Sequence, residues 1–86
     1  MSNICELLKV EYEQNMQKYN IPDRWKAVAY NVLVKLGYYD EEGNKIKDDA
    51  EFINKVSRIA EKLDSLHVSK INKMMKICGE AIGESN

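Results

Sequence analysis

The stretch Trp25-Lys26-Ala27-Val28-Ala29-Tyr30-Asn31-Val32-Leu33-Val34-Lys35-Leu36-Gly37 decides how this chain is read. Apolar side chains fall at Trp25, Val28, Ala29, Val32, Leu33 and Leu36. That is the i, i+3, i+4, i+7 spacing of one helical face. Pro22 and Asp23 stand just ahead, where a missing N–H costs nothing and a negative charge is favoured. Gly37 follows the last apolar residue, the place of a C′ glycine that turns the chain left-handed. The spacing predicts a helix over about 23–36, and its apolar density makes it the one the others pack around.

Outward from it the same periodicity recurs. On the N-terminal side, Asn3 is a candidate N-cap with Glu6 at the capping-box position, and Ile4, Leu8, Tyr12, Met16 and Tyr19 form a stripe. This predicts a first helix running to about Lys18 or Tyr19, broken by Asn20-Ile21-Pro22. On the C-terminal side, Tyr38 to Lys47 is a polar connection in which Tyr39 and Ile46 either pair as a short hairpin or lie in open loop. Asp48 with Glu51 reads as a second capping box, followed by Phe52, Ile53, Val56, Ile59, Ala60 and Leu63 on one face. After a break at Asp64-Ser65-Leu66-His67, a fourth helix is predicted from Val68 or Ser69, with Ile71, Met74, Met75, Cys78, Ala81 and Ile82 as its stripe. The expected fold class is all-α, a small bundle of four helices with short connections, in a single domain over 1–86.

With 86 residues, 44% hydrophobic and 31% charged, the composition is that of an ordinary small globule rather than a disordered chain. A core this size removes roughly 60–65% of the unfolded chain's surface from water, which makes stability marginal without a covalent aid. Net charge is −1, with both signs mixed along the chain, so nucleic acid is not an expected partner. The longest apolar run, Val32 to Val34, is far too short to span a membrane, so no membrane insertion is expected. No apolar segment of signal type follows Met1, which fits a cytoplasmic chain and fits equally a mature secreted one with an added Met. Cys5 and Cys78 either bond, closing a loop worth about 4–5 kcal/mol, or pack as two buried free thiols, the blander expectation.

Little catalytic chemistry is visible. Asp40-Glu41-Glu42-Gly43 suggests a calcium loop, but with Gly43 at the sixth position the first is Tyr38, the eighth Lys45 and the twelfth Asp49. An acidic turn with Gly43 at positive φ suffices. His67 has no ligand partners at metal-site spacing and reads as a residue of a helix connection, its alternative being a pH sensor. Cys5 lies near a helix N-terminus, which lowers a thiol pKa, but no base accompanies it. No enzyme, cofactor or metal is expected. The remaining distinctive set is aromatic and thioether: Trp25, Tyr12, Tyr19, Tyr30, Tyr38, Tyr39, Met16, Met74 and Met75. Each alone is ordinary core or rim; together they are the kind of side chains that line an adaptable pocket between helices that splay.

Two further segments carry a resemblance. Tyr30 to Ile46 is a helix ending in glycine, then a hydrophobic pair and an acidic-glycine turn; Val68 to Cys78 is a helix ending in cysteine; Cys5 stands near the start. In these features the chain, from Ala27 to Cys78, resembles the insect odorant-binding protein family, including its salivary relatives in blood feeders. Ala27 and Asn31 stand where that family carries Cys-x-x-x-Cys, so the implied partner of Cys5, at position 31, is replaced, and that of Cys78 would lie beyond residue 86. The resemblance implies a secreted, non-enzymatic carrier of a small hydrophobic or amphipathic ligand. Its pocket would be lined by Leu8, Tyr12, Trp25, Val28, Val32, Phe52, Val56, Met74 and Met75, with tyrosine hydroxyls or His67 orienting a polar end. Affinity would come from apolar burial at about 25 cal/mol per Å². The alternative is a small intracellular helical module for a protein partner or a homodimer, for which Met74, Met75, Ile77 and Ile82 give the fourth helix a wide apolar arc.

Overall fold

The central helix forms where the apolar spacing puts it. In the computed structural model, which describes residues 3–15 and 23–84, α2 spans Arg24–Lys35 with Asp23 and Leu36 as its caps. Around it stand α1 (Ile4–Asn15), α3 (Ala50–Ser65) and α4 (Ile71–Glu84), so the fold is all-α. The expected passage of the first stripe through Met16 and Tyr19, and the break at Asn20-Ile21-Pro22, lie outside the described residues.

Several ends of these helices are fixed by identifiable bonds. Asn3 Oδ1 accepts from the Cys5 N–H at 2.9 Å and from the Glu6 N–H at 3.4 Å, the expected N-cap of α1. At the other end of α2, the Gly37 N–H donates to Val34 O and the Tyr38 N–H to Leu33 O, a Schellman motif with Gly37 at φ 85°. The same pair of bonds ends α3, from the His67 N–H to Asp64 O and the Val68 N–H to Leu63 O. There the left-handed residue is His67, at φ 53°. Val68 belongs to that cap and is buried, and helical bonding of α4 begins only where Lys70 O accepts from the Met74 N–H. This is why α4 starts at Ile71, later than the spacing predicts.

The cap of α3 shifts by one residue from expectation. Asp49, not Asp48, accepts from the Phe52 N–H, so Glu51 falls out of capping-box register and Asp48 points to solvent near Lys45. Ahead of it, Asp40 O accepts from the Gly43 N–H, Gly43 sits at φ 92°, and the Asp40 N–H donates to Asn44 O, a three-residue hairpin loop. The hairpin therefore pairs Tyr39 with Lys45, and Ile46 is left largely exposed.

The helices close in a ring: α2 packs on α1 and α3, and α4 packs on the same two. Trp25, Leu8, Leu63, Met74, Val28, Val56, Val68 and Cys78 are the fully buried centre. The wide apolar arc of α4 follows from its two neighbours, since Met75, Ile77, Ala81 and Ile82 all pack against the core. Cys5 and Cys78 are bonded to each other, with Cα atoms 5.8 Å apart, joining α1 to α4. The two-thiol expectation is thus corrected: their helices are neighbours, and both side chains point into the same core. The bond also differs from the pairing implied by the family resemblance, in which Cys5 would be tied to position 31. A bonded Cys5 has no thiol for the helix N-terminus to activate.

Candidate functional site

The nine side chains expected to line a ligand pocket are brought together, mostly as core. Leu8, Trp25, Val28, Val56 and Met74 present no surface to a water molecule, Tyr12 and Val32 are buried, and Phe52 and Met75 are half-buried against them. The Tyr12 and Trp25 rings lie with centroids 4.7 Å apart. The radius of gyration, 12.1 Å, matches the roughly 12 Å expected of a tightly folded chain of this length. The helices are not splayed, and a ligand at the centre would have to part them.

Polar atoms within this core are paired. The Trp25 indole N–H donates to Val68 O at 2.7 Å. Tyr12 Oη accepts from the Arg24 guanidinium at 2.9 Å and donates to Ser69 O at 3.4 Å. Asp64, at the end of α3, accepts from the Trp25 N–H at 2.9 Å and the Lys26 N–H at 3.0 Å. It thereby caps α2 from another helix, a role that Asp23, the residue in the cap position, does not fill with its side chain. Buried Glu11 on α1 accepts from Lys35 Nζ at 2.5 Å and from Asn15 at 2.9 Å, tying α1 to α2. Spacing placed Tyr12 and Trp25 on their stripes but did not single out Arg24, Asp64, or the pairing of Glu11 with Lys35, because those partners meet only in the tertiary fold.

Open space lies at the surface, along the seam of α2 and α3. A cleft of about 390 Å³ has Ala29, Leu33 and Ala60 as its floor and Tyr30 and Tyr39 at one end. Those two rings have centroids 5.6 Å apart. Lys26, Ser57 and Glu61 form the polar rim. The physical cause is the two alanines. On facing stripes of two packed helices they leave a groove that larger side chains would fill, and this signal was present in the sequence. Beyond Lys26 and Glu61 the groove opens into a second hollow of about 280 Å³ bordered by Asp23, Asp64 and Ser65. The Asp64 carboxylate there is already engaged by the two α2 amides.

Two further clefts flank the Glu11–Lys35 pair. One, about 270 Å³, is apolar and bordered by Leu7, Val10, Val32 and Leu36; the other, about 350 Å³, is more polar and bordered by Asn15, Tyr30, Asn31 and Glu41. Of the nine expected pocket residues, Val32 alone borders any of these four clefts.

The Asp40 side chain is used within its own turn, accepting from the Glu42 and Asn44 backbone N–H groups and the Asn44 amide. The Asn44 backbone N–H is the main reason its carboxyl is held below the ordinary 3.8; slight desolvation opposes this, and the Asn44 side chain and the Glu42 and Gly43 amides add to it. Among the described residues no three His, Cys, Asp or Glu side chains converge as a metal site would require, and no helix is long and apolar enough to cross a membrane. No protein-family model, curated protein or solved structure matches this chain.

Proposed function

We propose that this chain is a non-enzymatic binding protein for a small amphipathic ligand, held non-covalently in the α2–α3 cleft. The observation that carries the reading is the cleft itself: an apolar floor, an aromatic end and a short polar rim within the size range of small-molecule sites. The Cys5–Cys78 bond supports an oxidising, extracytoplasmic setting, in keeping with a secreted carrier. The expected ligand class is retained, while its seat moves from the nine core residues to the surface between α2 and α3.

The test is fluorescence titration with 6-propionyl-2-(dimethylamino)naphthalene, an uncharged dye with two fused rings and polar ends, on the native chain and on Ser57→Trp. Ser57 is half-buried on the rim, so a large ring there fills the cleft without entering the core. Saturable binding that weakens at least tenfold in Ser57→Trp, at unchanged melting temperature, supports the proposal. No saturable binding, or binding indifferent to the substitution, refutes it. A second reading, a module for a protein partner, draws on one observation: Val10 is 44% exposed beside the apolar α1–α2 cleft. A charge placed there, Val10→Glu, would abolish such a contact and leave dye binding at the α2–α3 cleft unchanged.

A further inference from the structure

Lys26 and Glu61 face the same space from opposite helices, and each borders both hollows of the α2–α3 groove. Among the described residues, neither the Lys26 ammonium nor the Glu61 carboxylate has a hydrogen-bond or ion-pair partner. Their backbone positions are firmly set, since the Lys26 N–H is held by Asp64, one turn beyond Glu61 on α3. Lys26 is also one turn ahead of Tyr30, and Glu61 is adjacent to Ala60. The groove thus has a positive and a negative group on its border, one from each helix, next to an apolar, aromatic-ended chamber.

We infer that the groove is a site for a zwitterion bearing an aromatic ring, the chemistry of an aromatic α-amino acid. The inference rests on the binding-protein reading above and names the ligand class for the same cleft. The ring lies on Ala29 and Ala60 against Tyr30 and Tyr39, the carboxylate turns to Lys26 and the ammonium to Glu61. A monoanion in this chamber would meet Glu61 as a like charge, and a monocation would meet Lys26. Asp23 and the amide-bound Asp64 border the outer hollow with Glu61 and make the side away from the ring acidic, so the ammonium is the group directed outward. The chamber's volume, about 390 Å³, holds one or two fused rings. Both charged side chains are exposed, so each head group contributes only a factor of about two to five in affinity.

The experiment is a backbone-amide NMR titration of the full chain with phenylalanine, 2-phenylethylamine, 3-phenylpropionate and 2-phenylethanol, which share the ring and differ in head group. Phenylalanine is expected to bind tightest, two- to fivefold better than either singly charged compound, with shifts at Ala29, Tyr30, Ser57 and Ala60. Lys26→Gln removes its advantage over 2-phenylethylamine, and Glu61→Gln removes its advantage over 3-phenylpropionate. Neither exposed residue is part of the core, so both variants fold. Equal affinity across the four compounds, or tighter binding of a singly charged one, overturns this inference and leaves the cleft as a binding site. No shift at those four amides with any compound overturns both this inference and the binding-protein reading.

Discussion

Removing the Asp64 carboxylate tests the packing of α2 most directly. Its two oxygens accept from the Trp25 and Lys26 N–H groups, and the residue is only 8% exposed. In Asp64→Ala the Trp25 amide is left buried with no acceptor, costing about 1–3 kcal/mol. Loss of the negative charge at the helix N-terminus adds about 0.3–1 kcal/mol. The Lys26 amide is part-buried, and water takes over much of that bond. The expected cost is about 2–4 kcal/mol, a fall in melting temperature of roughly 8–30 °C for a domain of this size. Asp64→Asn keeps one acceptor and should lose about half as much. Asp23→Ala, at the nominal cap position, should stay within about 0.5 kcal/mol, because its side chain makes no capping bond. Urea melts followed by Trp25 fluorescence measure all three, and hydrogen exchange reports the Trp25 and Lys26 amides individually. If Asp64→Ala costs no more than Asp23→Ala, the cap does not come from α3 and the reasoning fails.

Reducing the Cys5–Cys78 bond frees a 73-residue separation and should lower stability by about 4 kcal/mol, read as a drop in urea midpoint with dithiothreitol; an unchanged midpoint would contradict it. His67→Gly relieves a side chain held at φ 53° and should stabilise by about 0.5–1 kcal/mol after the greater chain entropy of glycine is counted; thermal melts decide the sign. Asp40 should titrate below 3.8 in an NMR pH series. Because its folded value is lowered, its contribution to stability is present above 3.8 and is lost as pH falls through that lowered value, the Glu42 and Asn44 amide shifts moving with it; titration at or above 3.8 would refute the turn geometry.

The faces of the helices were legible because burial repeats locally. Val28, Val32, Val56 and Leu63 announce their positions through neighbours three and four residues away. What was illegible depended on distant residues or on equivalent neighbours. Asp64 caps a helix 39 residues earlier, and nothing around it in sequence marks that role. Asp48 and Asp49 offer the same capping chemistry, and only the final register chooses the second. His67 occupies a left-handed position with no glycine to signal it, because Val68 must return to the core beside Leu63. The aromatic and thioether residues were legible as a group, but chemistry alone does not separate a filled core from a lined cavity. The alanines at 29 and 60 were the better guide to open space, being the places where side-chain volume is missing from the seam of α2 and α3.

The bond between Cys5 and Cys78 makes the chain from α1 to α4 a covalent loop. A protease that cuts once in an exposed connection, such as Glu41 to Lys47, therefore severs the polypeptide without releasing a fragment. The nicked molecule keeps its mass apart from one added water, and both new ends remain tethered to packed helices. Only a second cut, or a reductant reaching a disulfide whose two residues are at most 4% exposed, frees a piece. Such a molecule tolerates digestion in the surroundings where its disulfide persists, and becomes vulnerable on entering a reducing one.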